Sequence, residues 1–194
     1  MTGRWLLGLL TRRGIEPNQL TLLGLALAAV SCAAYLLHRN SFWLGVSLAI
    51  SFSFDALDGW LARAQGSVTR FGGYLDAVVD RYQEIVSFLA IAWVTGWWLV
   101  CFLAVTGATL TSYNKARLAI EMPIQNKGWP DLMERPQRLI LLLIGLLLDP
   151  FLPLPDWLGT RFLFLILAAL ALLTHVTAVQ RFFRAKRMLE RSSS

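Results

Sequence analysis

Between Asp55 and Asp80, the stretch DALDGWLARAQGSVTRFGGYLDAVVD places four aspartates in a chain that otherwise reads as lipid-facing. Carboxylates at bilayer depth are expensive and mark function when they occur. Asp55 and Asp58 are three residues apart with Ala62 four further on, so one helical face carries all three. Asp76 and Asp80 repeat the arrangement at spacing i, i+4. Two facing helices would thus offer two carboxylates each. Four such groups crowded together cannot all stay ionised unaided, and a divalent cation resolves the conflict. Oxygen ligands with no His or Cys nearby suit Mg²⁺ or Mn²⁺, and this many carboxylates can hold two ions. Gly59, Gly72 and Gly73 lack side chains, which lets a neighbouring helix or a bulky phosphate ligand approach the backbone.

The elements that must position these groups are membrane spans. Hydrophobic residues make up 56% of the 194 positions and charged residues 15%, a balance that excludes an ordinary soluble domain. Apolar runs near Leu20–Leu37, Phe42–Ala62, Gly73–Thr95, Trp97–Leu118, Leu132–Leu148 and Leu158–Phe182 each approach the roughly 17 to 25 residues a spanning helix needs. An all-α integral membrane protein with six transmembrane helices follows, as one domain over residues 1–194 with spans within 20–182 and a basic cytoplasmic tail at 183–194. The first run is preceded by MTGRWLLGLLTRRG, which lacks a small-residue cleavage site and reads as a short amphipathic interfacial helix over residues 1–14, with Arg4, Arg12 and Arg13 on its polar side. DPFLPLPDW breaks helix periodicity between the fifth and sixth spans. Asp55 and Asp58 then lie roughly 7 to 12 Å below Arg63 at the membrane surface, at ~1.5 Å rise per residue.

Sixteen of the eighteen Lys and Arg fall at the N-terminus, around Arg63–Arg81, around Lys115–Arg138 and from Arg181 onward; only Arg39 and Arg161 fall at the opposite face. The positive-inside rule makes the basic face cytoplasmic, with both termini and the acidic cluster on that side of the cell membrane. The net charge of +6 is then an orientation signal and an attraction for anionic lipid, not a sign of nucleic-acid binding. Cys32 and Cys101 sit inside spans without metal-ligand spacing and read as packing residues, with no disulfide framework. His38 and His175 are far in sequence from the acids and form no nucleophilic triad. Trp97 and Trp98 read as an aromatic belt, and Arg81 as an interfacial anchor.

The pattern Asp55-x2-Asp58-Gly59-x2-Ala62-Arg63-x8-Gly72-x3-Asp76-x3-Asp80 resembles the signature of the CDP-alcohol phosphotransferase family at every defined position. That resemblance implies six transmembrane helices around a polar cavity open to the cytoplasm, a homodimer, and transfer of a phosphatidyl-type group from a CDP-linked lipid to an alcohol, with CMP leaving. It implies that Asp55, Asp58 and Asp76 are metal ligands, and that Asp80 is both a ligand and the base that takes the acceptor's proton. Arg63 would lie beside the nucleotide and Asn18, after Pro17, near the cytidine; Gly59, Ala62 and Gly72 complete the donor-binding set.

SYNKAR (Ser112 to Arg117) and ERPQRL (Glu134 to Leu139) resemble the SYxKAR and ERPERL segments of the family's inositol-phosphate-using branch, as do TRFG (Thr69 to Gly72) and the pair Gln180-Arg181. Asn114 and Gln137 depart from the commonest residues of that branch, and DRYQE after Asp80 is as similar to its archaeal members. By this resemblance Lys115, Arg135 and Arg181 hold the phosphate of inositol 1-phosphate, since three cations suit a dianionic phosphomonoester better than a neutral alcohol. A phosphatidylglycerophosphate synthase using glycerol 3-phosphate is the alternative within the family. An ion or proton transporter is the alternative outside it, weighed against by all four aspartates lying near one face.

Overall fold

The computed structural model describes residues 16–123, 131–155 and 160–192, and among them all regular structure is helical. Six helices occupy the six apolar runs: α1 Pro17–His38, α2 Ser41–Gln65, α3 Arg70–Thr95, α4 Trp98–Glu121, α5 Arg135–Leu148 and α6 Phe162–Ser192. The interfacial helix expected over residues 1–14 lies outside the described residues. The chain divides into two compact units, Met1–Ala90 and Ile91–Ser194.

In the first unit, short polar devices set where each helix starts and stops. Pro17 opens α1, and the Gln19 side chain accepts from the Glu16 N–H at 3.2 Å. Arg39 ends it in the left-handed region (φ 51°), and Asn40 at once caps α2 by accepting from the Phe42 and Trp43 amides. Gly66 (φ 63°) closes α2 with the Ser67 N–H on the Ala62 carbonyl, a reversal that favours a residue without Cβ. Thr69 Oγ1 then accepts from the Gly72 N–H at 2.9 Å and starts α3. α1 and α2 pack backbone to backbone: Ser51 Oγ donates to the Gly24 carbonyl at 2.7 Å, and a Cβ on Gly24 would stand 3.2 Å from the Phe54 Cβ. α3 joins them through side chains, with Gln83 Nε2 donating to Asp55 Oδ1 at 3.2 Å.

In the second unit, α6 packs against both α4 and α5. Gly107 and Gly145 set how closely. A Cβ on Gly107 would collide with Thr174 Oγ1 and the His175 ring, and one on Gly145 would meet the Ile166 Cγ2 at 2.8 Å. Asp149, after the end of α5, pairs with Arg161 and accepts from the Leu163 N–H at 3.0 Å, which ties the α5–α6 corner.

Leu37, Leu99, Phe102 and Leu172 are exposed while Thr21, Ser51, Gln83, Thr111 and Thr177 are buried, an inversion suited to a lipid solvent. Among the described residues, three helices are long and apolar enough to cross a membrane: Pro17–His38, Ser41–Gln65 and Phe162–Arg191. The other three differ from the expected spans in informative ways. α3 carries Asp76, Asp80, Arg81 and Glu84 in its body. α4 turns polar after Thr111. α5 begins at Arg135, not Leu132, because Glu134 takes the N-cap position ahead of Pro136, and its 14 residues rise only ~21 Å. The tail expected from residue 183 continues α6 as helix to Ser192, with Lys186 and Glu190 paired at i, i+4.

Candidate functional site

The last turns of α2, the first turns of α3 and the start of α1 enclose a cavity of about 490 Å³. From α1 it is lined by Asn18 and Thr21, from α2 by Asp58, Gly59, Ala62 and Arg63, and from α3 by Gly72, Gly73 and Asp76. Every donor-binding residue expected from the sequence, Asn18, Gly59, Ala62, Arg63 and Gly72, therefore faces one space with two of the four aspartates. Gly72 has a visible reason: a Cβ there would stand 3.1 Å from Thr69 Oγ1 and 3.3 Å from Asn18 Oδ1. At Gly59 a Cβ would make only ordinary contact with the Arg63 guanidinium, at 3.5 Å.

The other two aspartates lie outside that lining. Asp55 is held by Gln83, and its Oδ1 would stand 3.4 Å from a Cβ on Gly24. Asp80 is buried, with its Oδ2 3.9 Å from Arg81 Nη2, and Arg81 in turn pairs with the buried Glu84 at 3.2 Å. Arg81 is thus tied to two acids of its own helix, where the sequence suggested an interfacial anchor. Asp58 is buried and accepts from the Thr21 hydroxyl. Among the described residues no three acidic, His or Cys side chains are gathered closely enough to hold an ion as they stand. The donor set nevertheless fits a hard cation: beside the Arg63 guanidinium, the polar side chains of α1, α2 and α3 offer carboxylate, hydroxyl and amide oxygens, with no sulfur or imidazole in the lining.

Thr21 and Gln83 went unnoticed in the sequence. The signal was present, since Thr21 follows Asn18 at i, i+3 and Gln83 follows Asp76 and Asp80 at i, i+7 and i, i+3, on the same helical faces.

The basic residues belong to the second unit. Arg181 is buried in the second half of α6; its Nε and Nη2 donate to Asp131 Oδ2 at 3.1 and 2.6 Å, and its Nη1 donates to the Thr111 carbonyl of α4. Asn114 Nδ2 donates to the Ala178 carbonyl at 2.9 Å, so a polar contact joins α4 to α6 at the residue before Lys115 and three residues before Arg181. Arg135 opens α5. Three residues on, Arg138 is buried and donates to the carbonyl of Met133, the residue just before the ERPQRL segment, at 3.2 Å.

The profile of the CDP-alcohol phosphatidyltransferase family matches residues 15–180. The archaetidylinositol phosphate synthase of Pyrococcus horikoshii is 33% identical over 179 residues, covering 91% of this chain and 87% of that protein. Among solved structures, the Mycobacterium tuberculosis phosphatidylinositol phosphate synthase with CDP-DAG bound superposes with a TM-score of 0.80 at 28% identity, over 93% of this chain and 91% of that one. The same enzyme in complex with manganese and citrate also gives 0.80 at 28% identity, over 93% of this chain and 87% of that one.

Proposed function

Because the chain belongs to the CDP-alcohol phosphatidyltransferase family, we propose that it transfers the phosphatidyl-type group of a CDP-linked lipid to inositol 1-phosphate and releases CMP. The observation that carries the donor half is the single cavity lined by Asn18, Asp58, Gly59, Ala62, Arg63, Gly72 and Asp76. In our reading the nucleotide lies against Asn18 and the two glycines, with Arg63 on its phosphates. Asp80 takes the proton of the acceptor hydroxyl, whose oxygen bonds to the lipid-linked phosphorus as the anhydride bond to CMP breaks. Asp55, Asp58, Asp76 and Asp80 would hold Mg²⁺ or Mn²⁺, as two ions. Bound there, such ions offset the charge of the pyrophosphate and of the departing CMP.

Lys115, Arg135 and Arg181 are assigned to the acceptor phosphate, supported by the SYNKAR and ERPQRL segments and by the names of the relatives, which make inositol-phosphate lipids. All six helices cross the membrane in this account, with the cavity on the basic, cytoplasmic side, and the enzyme works as a homodimer. The test is CMP release by purified protein given Mg²⁺, CDP-diacylglycerol or CDP-archaeol, and either inositol 1-phosphate, inositol, serine or no acceptor. CMP release that depends on inositol 1-phosphate is expected. Release driven by free inositol or serine would remove the phosphate-binding assignment, and no release with any acceptor would favour a transporter.

A further inference from the structure

Arg184 is absent from every motif described so far, yet the structure joins it to Arg181 through one acid. The Asp131 side chain is fully buried; its Oδ2 takes two hydrogen bonds from Arg181, and its Oδ1 takes one from Arg184 Nη1 at 3.1 Å. Arg181 and Arg184 are three apart on α6, so they share a face at its basic end. Asp131 stands only four residues before Arg135, in the segment that leads into α5. One carboxylate thus links the Arg135 segment to two guanidiniums of α6. The Arg181 side chain is only 6% exposed while that of Arg184 is 24% exposed, so the outer arginine is the one that solvent reaches.

One acid shared between two arginines fixes the plane of each guanidinium, which matters because guanidinium recognition of phosphate is directional. Without it two like charges would sit side by side, one of them buried. We propose that Arg184 is a further acceptor-phosphate residue and that Asp131 is the positioning residue that presents Arg181 and Arg184 together to the phosphomonoester. This rests on the acceptor reading given above.

The experiment measures KM for inositol 1-phosphate and for CDP-diacylglycerol in wild-type protein and in Arg181→Gln, Arg184→Gln, Asp131→Asn and the Asp131→Asn/Arg184→Gln double variant, all in Mg²⁺. Arg184→Gln should raise the acceptor KM about tenfold, the scale of one charge-assisted contact, with the donor KM unchanged. Asp131→Asn should shift the same constant in the same direction, and the double variant should fall short of the product of the two, because both act on one placement. A merely structural role for Asp131 would instead lower the yield of folded protein and move both constants or neither. An unchanged acceptor KM in Arg184→Gln, beside a raised one in Arg181→Gln, overturns this inference and leaves the acceptor reading intact. An acceptor KM that falls in Asp131→Asn also overturns it, since the carboxylate would then compete with the phosphate. If Arg181→Gln itself moves nothing, the acceptor reading fails first. Should Asp131→Asn not fold, Arg184→Gln decides alone.

Discussion

Asp58 and Asp76 line the cavity together with Thr21, whose hydroxyl donates to Asp58. Asp58→Asn and Asp76→Asn should each abolish CMP release and weaken Mn²⁺ binding followed by electron paramagnetic resonance, in protein that still elutes as a folded species. Unchanged turnover in either would remove the carboxylates from the reaction. Thr21→Val removes the hydroxyl but keeps the shape, and loss of such an outer partner typically costs about 10- to 100-fold in metal affinity or activity. The expected result is weaker Mn²⁺ binding that added metal overcomes. Asp80→Asn should lower turnover by roughly 10² to 10⁴-fold at saturating metal, the scale of a lost general base, with donor affinity little changed. Turnover restored by more metal alone would make Asp80 a ligand only. That Asp58, Gly59, Gly72 and Asp76 share one cavity was legible in the sequence because their spacing is local to two helical faces, whereas the contacts of Asp55 with Gln83 and of Asp80 with Arg81 were not. Asp131 was not, because its partners lie 50 and 53 residues away and only the folded second unit brings them together.

At the scale of elements, helix pairs close on glycine. Gly107 admits Thr174 and His175 of α6, and Gly145 admits Ile166. Gly107→Ala puts a methyl where atoms already stand, so α4 and α6 must separate; overpacking of this kind typically costs about 1 to 3 kcal/mol. Thermal unfolding in detergent should show the loss, while Gly73→Ala, where a Cβ meets nothing within 4 Å, should leave the unfolding temperature unchanged. An equal response at the two positions would contradict the close approach of α4 and α6. Asp149→Ala leaves the Leu163 N–H without its acceptor and Arg161 without its acid. An unsatisfied buried donor costs about 1 to 3 kcal/mol, so a similar fall in stability is expected, with the catalytic constants preserved. Hydropathy located all six helices, since each coincides with a long apolar run, and three of them are long and apolar enough to cross a membrane. It missed the ends of α5 and α6, which are set by Glu134 and Pro136 in one case and by continued helix-forming residues with a Lys186–Glu190 pair in the other. The glycines at the helix crossings carry no pattern of their own, because their role depends on a partner helix far along the chain.

Large apolar side chains such as Leu37, Leu99, Phe102 and Leu172 are exposed while Thr21, Ser51, Gln83, Thr111 and Thr177 are buried between helices, as suits a chain that folds in lipid. Cysteine placed at Arg63 or Arg187 should react with a membrane-impermeant maleimide only in inverted vesicles, and cysteine at Arg39 only in right-side-out ones; the reverse would overturn the orientation read from the basic residues. The most direct test of the central claim is a competition. Protein in lipid vesicles is given CDP-diacylglycerol, Mg²⁺ and equal concentrations of inositol 1-phosphate and glycerol 3-phosphate, and the lipid products are resolved by mass spectrometry. Both acceptors carry the same phosphate, so only the pocket can choose between them. Our account expects the inositol-phosphate lipid to dominate. A predominance of phosphatidylglycerophosphate would contradict it.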